Sequence, residues 1–502
     1  MIPHSSDIIS IADGSATIGY TKGHTRALGV AHVSAPDLIT QLSNLLRSDA
    51  AGILRDGHDE VFLARAPGRL DVMGGLSEYA GSLACQWPLA ASTAVALQRR
   101  DDRKLVLKNY NTQGVVALSL DDFYGTASLL PTDSLQKLFS GENSWAAHIA
   151  GAYPTLGKHK KLTRRAHGAN IACYSDLPFR AGAASSAALQ CATLWALTAA
   201  YHLILDPMEI ALLAQKIENQ LVGTLAGVTE PAASVLGRKD QLLLLRCQPH
   251  EHQGYVPLPA GLMIAGLQFG RQDAAACRVT RVSAFMAQAI ISRLYSDTGI
   301  KKDPTHGYLA NVSADALGKY FRPMLPETLT GEQFIKDYGT IADRLTTVDP
   351  AGNYYPRAAA EFHIQENARA GAFVQHLRAL AEPLPAAERQ AHAIEAGKLM
   401  LVSHAACSRE ARLGSEAADL LVELVTERGP QGGLYGARLA GGEGGGGVTV
   451  LAETTAREQL DAIVRDYQEK TGKQVFLLAG SSDGAAEAAP QRVPLTDISG
   501  TR

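Results

Sequence analysis

A short apolar run, Asn170–Tyr174, ends in DLPFRAGAASSAALQ (Asp176–Gln190), a loop of small residues that passes straight into an Ala-rich stretch reaching Leu203. The run reads as a buried strand, and Ala184–Leu203 is long and apolar enough to be a buried helix. A strand, a small-residue turn and a buried helix in direct succession restrict the chain to folds in which helices pack on a sheet. The turn also carries chemistry. A helix start offers unpaired backbone N–H groups and the positive end of the helix dipole, and Ser185 and Ser186 add hydroxyls, so an anion would be favoured there. Plain turn chemistry accounts equally well for the loop taken alone.

Two further segments join a strand end to small residues. In PGRLDVMGGLSEYAGS (Pro67–Ser82), which follows the strand-like Glu60–Ala66, one Arg and one Glu sit among turn-forming glycines. In LAGGEGGGGVTV (Leu439–Val450) a carboxylate, Glu443, interrupts a glycine run of the kind that brings bare amides close to an anion.

Around these loops the periodicity predicts strands at Lys104–Asn109, Gly114–Leu120, Gln241–Cys247 and Gly261–Gln268, and again at Tyr435–Leu439, Val448–Ala452 and Gln474–Leu478. It predicts helices around Ala35–Leu54, Trp145–Tyr153, Pro207–Val222, Ala274–Leu294, Ala358–Leu380, Ala386–Cys407, Ser415–Glu427 and Thr455–Thr471. The expected organisation is α+β. Residues 1–58 form a lead-in, 59–250 a first domain, 251–480 a helix-richer second domain, and 481–502, small and polar, a loose tail.

Composition narrows the function classes. A net charge of −3 on 502 residues gives no basic surface for nucleic acid or an anionic membrane, and no apolar run approaches a membrane span. The six cysteines are scattered without CxxC or Cys/His spacing, so free thiols are expected, in a cytoplasmic protein.

Together the three loops resemble the motifs of the GHMP kinases, the family of galactokinase, homoserine kinase and the mevalonate kinases. Pro67–Ser82 is similar to the family's substrate motif, Asp176–Gln190 to its phosphate loop and Leu439–Val450 to its C-terminal glycine motif. Within the family, ARAPGRLDVMGG, WAAHIAG, QKIENQLVG, LPETLTGEQFIKDYG (Leu325–Gly339) and RAAAEFHIQENAR (Arg357–Arg369) resemble the kinase region of plant-type L-arabinokinases. The likeness runs from about residue 60 to 485. It implies a two-domain GHMP kinase fold, with a ribosomal protein S5 domain 2-like N-terminal domain and a ferredoxin-like C-terminal domain with extra helices, and an active site between them.

The resemblance implies an ATP- and Mg²⁺-dependent sugar kinase acting on an anomeric hydroxyl. Phosphoryl transfer needs mainly positioning and charge neutralisation. Carried over residue by residue, Arg69 is the cation beside the attacking hydroxyl and Glu230, in GVTEP (Gly227–Pro231), the catalytic carboxylate. Asp71, Glu78 and Tyr79 fall on the sugar-binding motif. Arg180, Gly182, Ser185, Ser186, Gly441, Gly442 and Glu443 fall on nucleotide-binding positions, and Ser186 and Glu218 on the Mg²⁺ ligands. The partner is a small sugar or sugar phosphate.

Several positions depart from the family pattern. Glu78 and Glu230 stand where the family has Asp, Pro231 replaces a Gln, Arg180 and Glu443 replace glycines, and Ala184 replaces a small polar residue. A glutamate reaches one methylene, roughly 1 Å, further than an aspartate, and misplacement on that scale can cost about a hundredfold in rate. The lengthened pair predicts a smaller or shifted substrate, an expectation that fails if an ordinary pentose or hexose meets both carboxylates at normal hydrogen-bond distance. Arg180 and Glu443 are a new cation and a new anion, expected to pair across the cleft. The departures keep a second reading open, a GHMP-fold protein without ATP-dependent transfer. It would be either a repurposed acid–base enzyme using Glu230 and Arg69 on a small phosphorylated sugar, or a sugar-binding pseudokinase.

Overall fold

Two sheets carry the fold. The computed structural model describes residues 35–49, 52–54, 58–112, 114–126, 128–270, 273–442 and 445–498. The larger sheet contains β1 (Glu60–Met73), β2 (Leu83–Arg99), β3 (Lys104–Asn109), β4 (Gly114–Ser119), β5 (Ala169–Ser175), β6 (Gln241–Arg246) and β7 (Glu251–Pro257). The smaller contains β8 (Leu262–Gly270), β9 (Leu434–Gly442), β10 (Gly445–Glu453) and β11 (Phe476–Ala479), in the order β9-β10-β8-β11 and antiparallel throughout.

β2 holds the larger sheet together. Its first residues, Leu83–Gln86, pair with β6, its last, Thr93–Arg99, with β5, and most of its length with β1. The sequence pattern gave no sign of β2, because a central strand buried on both faces loses the alternation that marks a strand and an Ala-rich run fits a helix equally well. β7, an edge strand of mixed polarity, also went unpredicted.

Alternation along β1 sorts its side chains between two layers. Val61 and Leu63 pack under α1 (Ala35–Ser48), whose Leu38, Leu42 and Leu46 recur at helical spacing. Phe62 and Ala64 face the opposite layer, where α2 (Ser185–Ala200) buries Ala192, Leu194 and Leu197 against Val95 and Leu97. A buried leucine here is worth about 2–5 kcal/mol against alanine.

Of the expected loose tail, 481–502, the described residues 481–498 are ordered against the fold. A strand, β12 (Gln491–Pro494), pairs with Glu60–Leu63, Ile498 packs with Leu38 and Leu42, and the Trp195 indole donates to the Ala488 carbonyl at 2.9 Å. Edge pairing needs only backbone groups, so a polar composition does not forbid it.

β1 also runs past its expected end. The strand continues through PGRLDVM with register shifts between Pro67 and Arg69 and between Asp71 and Met73. These bulges turn a predicted loop into a strand, and Leu70, Val72 and Met73 pack with Ile264 of β8 and Leu451 of β10. The two sheets therefore meet at the end of β1. Further helices complete the layers: α3 (Pro207–Ile217), α4 (Thr229–Leu236), α5 (Ala274–Asp297), α6 (Pro356–Ala381), α7 (Ala386–Arg409), α8 (Glu416–Arg428) and α9 (Arg457–Thr471). No helix among the described residues is long and apolar enough to cross a membrane.

Candidate active site

The bulge at Pro67–Arg69 aims Arg69 into a cleft of about 1080 Å³ that is open to solvent. Gly68 permits this. A Cβ there would lie 2.4 Å from the Ala183 carbonyl, so only glycine lets β1 run so close to the Asp176–Gln190 loop. The Arg69 amide donates to that carbonyl at 3.1 Å, its Nη1 reaches the Gly182 carbonyl at 3.4 Å, and its Nη2 donates to Glu230 Oε1. Arg69 is thus buried and ties the loop to the carboxylate.

The loop alternates handedness. Arg180, Gly182 and Ala184 take φ of 54°, 78° and 59°, the left-handed region that glycine enters freely and other residues at a cost of about 1–2 kcal/mol. Such alternation turns successive N–H groups toward one side as an anion-binding concavity. It leads into the N-terminus of α2, which has no side-chain cap, with Ser185 and Ser186 lining the cleft. Arg180 is exposed at the mouth, its guanidinium 5.1 Å from the centre of the Phe179 ring.

Glu230 and Thr229 open α4 from below the cleft. Pro231 is also in the first turn, where its missing N–H has no intrahelical partner to lose. Glu78 crosses to the same helix start. Its Oε2 accepts from the Thr229 amide at 3.2 Å and the Thr229 hydroxyl at 2.8 Å. The carboxylate lies so close over Gly227 that a Cβ there would sit 1.4 Å from Oε1. Burial raises the Glu78 carboxyl to about 7; the Thr229 hydroxyl opposes this and the neighbouring Glu230 charge adds to it.

Tyr79 forms the wall beside Glu78. Its hydroxyl meets His363 Nε2 at 3.2 Å, while Ser77 meets His363 Nδ1 at 2.8 Å. Desolvation takes the fully buried His363 down to about 3, so the ring is neutral. Arg281 of α5 lies 4.9 Å from the centre of the Tyr79 ring and forms a bidentate pair with Asp343, at 2.7 and 3.0 Å.

Glu218 faces the phosphate-loop side. Its Oε1 accepts from Thr224 and its Oε2 from Gln190, both at 2.5 Å, with His148 Nδ1 at 3.3 Å from Oε2. Burial alone would raise this carboxyl, but His148, Thr224 and Gln190 hold it below the usual range, so it is an anion. A hard oxygen pair from Ser186 and Glu218, completed by phosphate and water, is the kind of donor set Mg²⁺ accepts. The open helix start and the concave loop likewise fit a polyphosphate.

The cleft therefore gathers Arg69, Asp71, Glu78, Tyr79, Arg180, Gly182, Ser185, Ser186, Glu218, Glu230 and Gly441. Gly442 follows Gly441 in β9 and pairs with Gly445. Glu443, and with it the expected pairing to Arg180, lies outside the described residues. Asp71 touches the cleft, but both its oxygens are engaged. Oδ1 accepts from the Gly75 amide at 2.9 Å and Gln86 at 3.0 Å, and Oδ2 from Arg438 at 3.0 Å.

Arg281, Thr229, His363, His148 and Cys277 are not among the residues the sequence marks. Thr229 stands next to Glu230 and could have been noticed as a helix-start hydroxyl; Arg281 depends on a partner 62 residues away and had no local signal. None of the six cysteines is in a disulfide, and Cys277, on the cleft wall, is the one not buried.

A family model described as the GHMP kinases N-terminal domain matches residues 148–238. The L-arabinokinase of Arabidopsis thaliana is 30% identical across 90% of this chain and 49% of its own length, so the chain spans about half of that relative. The galactokinase of Pyrococcus furiosus is 24% identical across 84% of this chain and 97% of its own. Among solved structures, Lactococcus lactis galactokinase complexed with galactose has the same fold, with a TM-score of 0.65 at 18% identity, covering 89% of this chain and 98% of that one. In fold, in these matches and in the three motif loops around one cleft, the chain is similar to the GHMP kinases, with a galactokinase and an L-arabinokinase among its relatives.

Proposed function

We propose that the protein is a sugar kinase of the galactokinase and L-arabinokinase type, transferring the γ-phosphate of ATP to the anomeric hydroxyl of a monosaccharide. The observation that carries this reading is the Arg69–Glu230 pair, held between the phosphate loop and the Glu78 carboxylate in one cleft. Arg69 would meet the charge that develops on the transferred group, and Glu230 would keep that guanidinium in place. The concave loop and the start of α2 would hold the polyphosphate, with Arg180 at its rim as a further cation. Ser186 and Glu218 would hold Mg²⁺, which when bound neutralises phosphate charge and fixes its orientation.

Glu78 and Tyr79 would shape the sugar side. Asp71, with its oxygens engaged, would brace the loop rather than touch the sugar. The Glu78 carboxylate docks over Gly227, and the substrate would be a small monosaccharide. The division into domains at about residue 250 belongs to the same proposal.

The test is thermal stabilisation by Mg·ATP followed by ADP release with a panel of pentoses and hexoses. Stabilisation and sugar-dependent release support the reading. No response to nucleotide, with stabilisation by a sugar phosphate alone, would reject it.

A further inference from the structure

Ser186 and Gln190 stand one turn apart on α2, so their side chains are neighbours on one face of the helix. The buried Gln190 amide donates to Glu218 Oε2 at 2.5 Å, and His148 Nδ1 lies 3.3 Å from the same oxygen. The inner oxygen of Glu218 is therefore fixed to the helix turn beneath Ser186. Oε1 is the outer one. Its hydrogen-bond donor among the described residues is the Thr224 hydroxyl, at 2.5 Å, and Thr224 lines the cleft together with Ser186 and Glu218.

The main chain brings Thr224 to this place. Glu218 opens a single π turn, Glu218–Val222, which ends at Gly223 with φ of 87°. The Gly223 and Thr224 amides both return to the Glu218 carbonyl, at 2.8 and 3.3 Å. Such turns are rare, and they recur at functional sites. Asn219 straps the following loop separately, donating to the Ala226 carbonyl at 3.1 Å and accepting from the Ala226 amide at 2.7 Å. The loop is thus held by bonds other than the Thr224 hydroxyl, which orients the carboxylate.

Resting on the kinase reading above, we propose that Thr224 is a positioning residue of the Mg²⁺ site, holding Glu218 so that Oε1 is the oxygen offered to the cation. The single hydroxyl proton of Thr224 is committed to Oε1. Oε1 keeps a further lone pair for a hard cation, and the Thr224 oxygen keeps its own for cation-bound water. A partner of this kind sets the orientation of a ligand, and its loss weakens metal binding by about 10–100-fold.

The experiment titrates Mn²⁺, which shares the octahedral oxygen preference of Mg²⁺, into the wild type, Thr224→Val and Thr224→Ser with a non-hydrolysable ATP analogue present. Free Mn²⁺ is followed by electron paramagnetic resonance, and binding of the analogue in EDTA is measured by calorimetry on the same proteins. Thr224→Val keeps the shape and loses the hydroxyl; it should bind Mn²⁺ about 10–100-fold more weakly, while Thr224→Ser stays close to the wild type. In EDTA all three should bind the analogue alike. Unchanged Mn²⁺ affinity in Thr224→Val, a Thr224→Ser as weak as Thr224→Val, or the same loss in EDTA overturns the assignment, while Mn²⁺ uptake by the wild type leaves the kinase reading standing. A wild type that takes up no Mn²⁺ with the analogue present rejects the metal site of that reading and the assignment with it.

Discussion

Arg438 of β9, wholly buried, donates from Nη1 to Asp71 Oδ2 at 3.0 Å, joining the glycine strand of the smaller sheet to the motif end of β1. The bond belongs to a buried chain. Arg438 Nε donates to Ser403 at 3.0 Å, Ser403 to Glu366 Oε1 at 2.8 Å, and Arg369 to Glu366 Oε2 at 2.8 Å. Removing one member leaves a charge in the interior without its partner. Asp71→Ala should therefore cost about 3–5 kcal/mol of stability, read as a lower urea midpoint or Tm. If Asp71 acted mainly on the sugar, the substitution would instead raise sugar KM at nearly unchanged Tm.

Gly227→Ala addresses the seat of Glu78. Its backbone φ lies outside the left-handed region, so alanine adds no strain of that kind, but the new methyl would occupy the place of the carboxylate. The expected outcome is a loss of about a hundredfold in kcat/KM as Glu78 moves by roughly 1 Å, with a Tm shift small beside that of Asp71→Ala. Steady-state kinetics and calorimetry on the same preparation separate the two effects.

His363 makes stability depend on pH. Its folded-state affinity falls from the ordinary 6.5 to about 3, so between these values the unfolded chain binds the proton and the folded one does not. Stability is then fully present above pH 6.5 and declines as pH falls toward 3. The wild-type Tm should drop over that window, and His363→Gln, already lower at neutral pH, should show a flatter acid limb.

Glu78 works in the opposite direction. Its carboxyl is raised from 4.5 to about 7, so the folded state holds the proton more tightly and stability declines as pH rises between those values. At pH 8 the ionised group costs the fold on the order of 1–3 kcal/mol. Glu78→Gln should raise Tm at pH 8 and leave it little changed near pH 4, a stability gain of the kind active-site substitutions often bring.

The features that could be seen in the sequence are those whose cause is local. Gly182, Ser185 and Ser186 mark a turn and a helix start by residue type alone, and Arg69, Glu78, Glu218 and Glu230 hold recognisable places around such turns. What could not be seen depends on distant partners. Asp71 reads as a motif carboxylate until Arg438, 367 residues away, takes one of its oxygens. Arg281 has no signal without Asp343. β2 hides because both its faces are buried, and β12 because an edge strand can be polar. Glu78 and Thr229 are 151 residues apart, so the hold that distinguishes Glu78 from Glu230 is a property of the fold.

The central claim is tested most directly by product analysis after incubation with Mg·ATP and single monosaccharides. The account predicts that at least one pentose or hexose gives ADP and an equal amount of an acid-labile sugar phosphate, the lability of an anomeric ester, and that Arg69→Ala abolishes both while the protein stays folded. Equal ADP with and without sugar, or a sugar phosphate stable to mild acid, would contradict it.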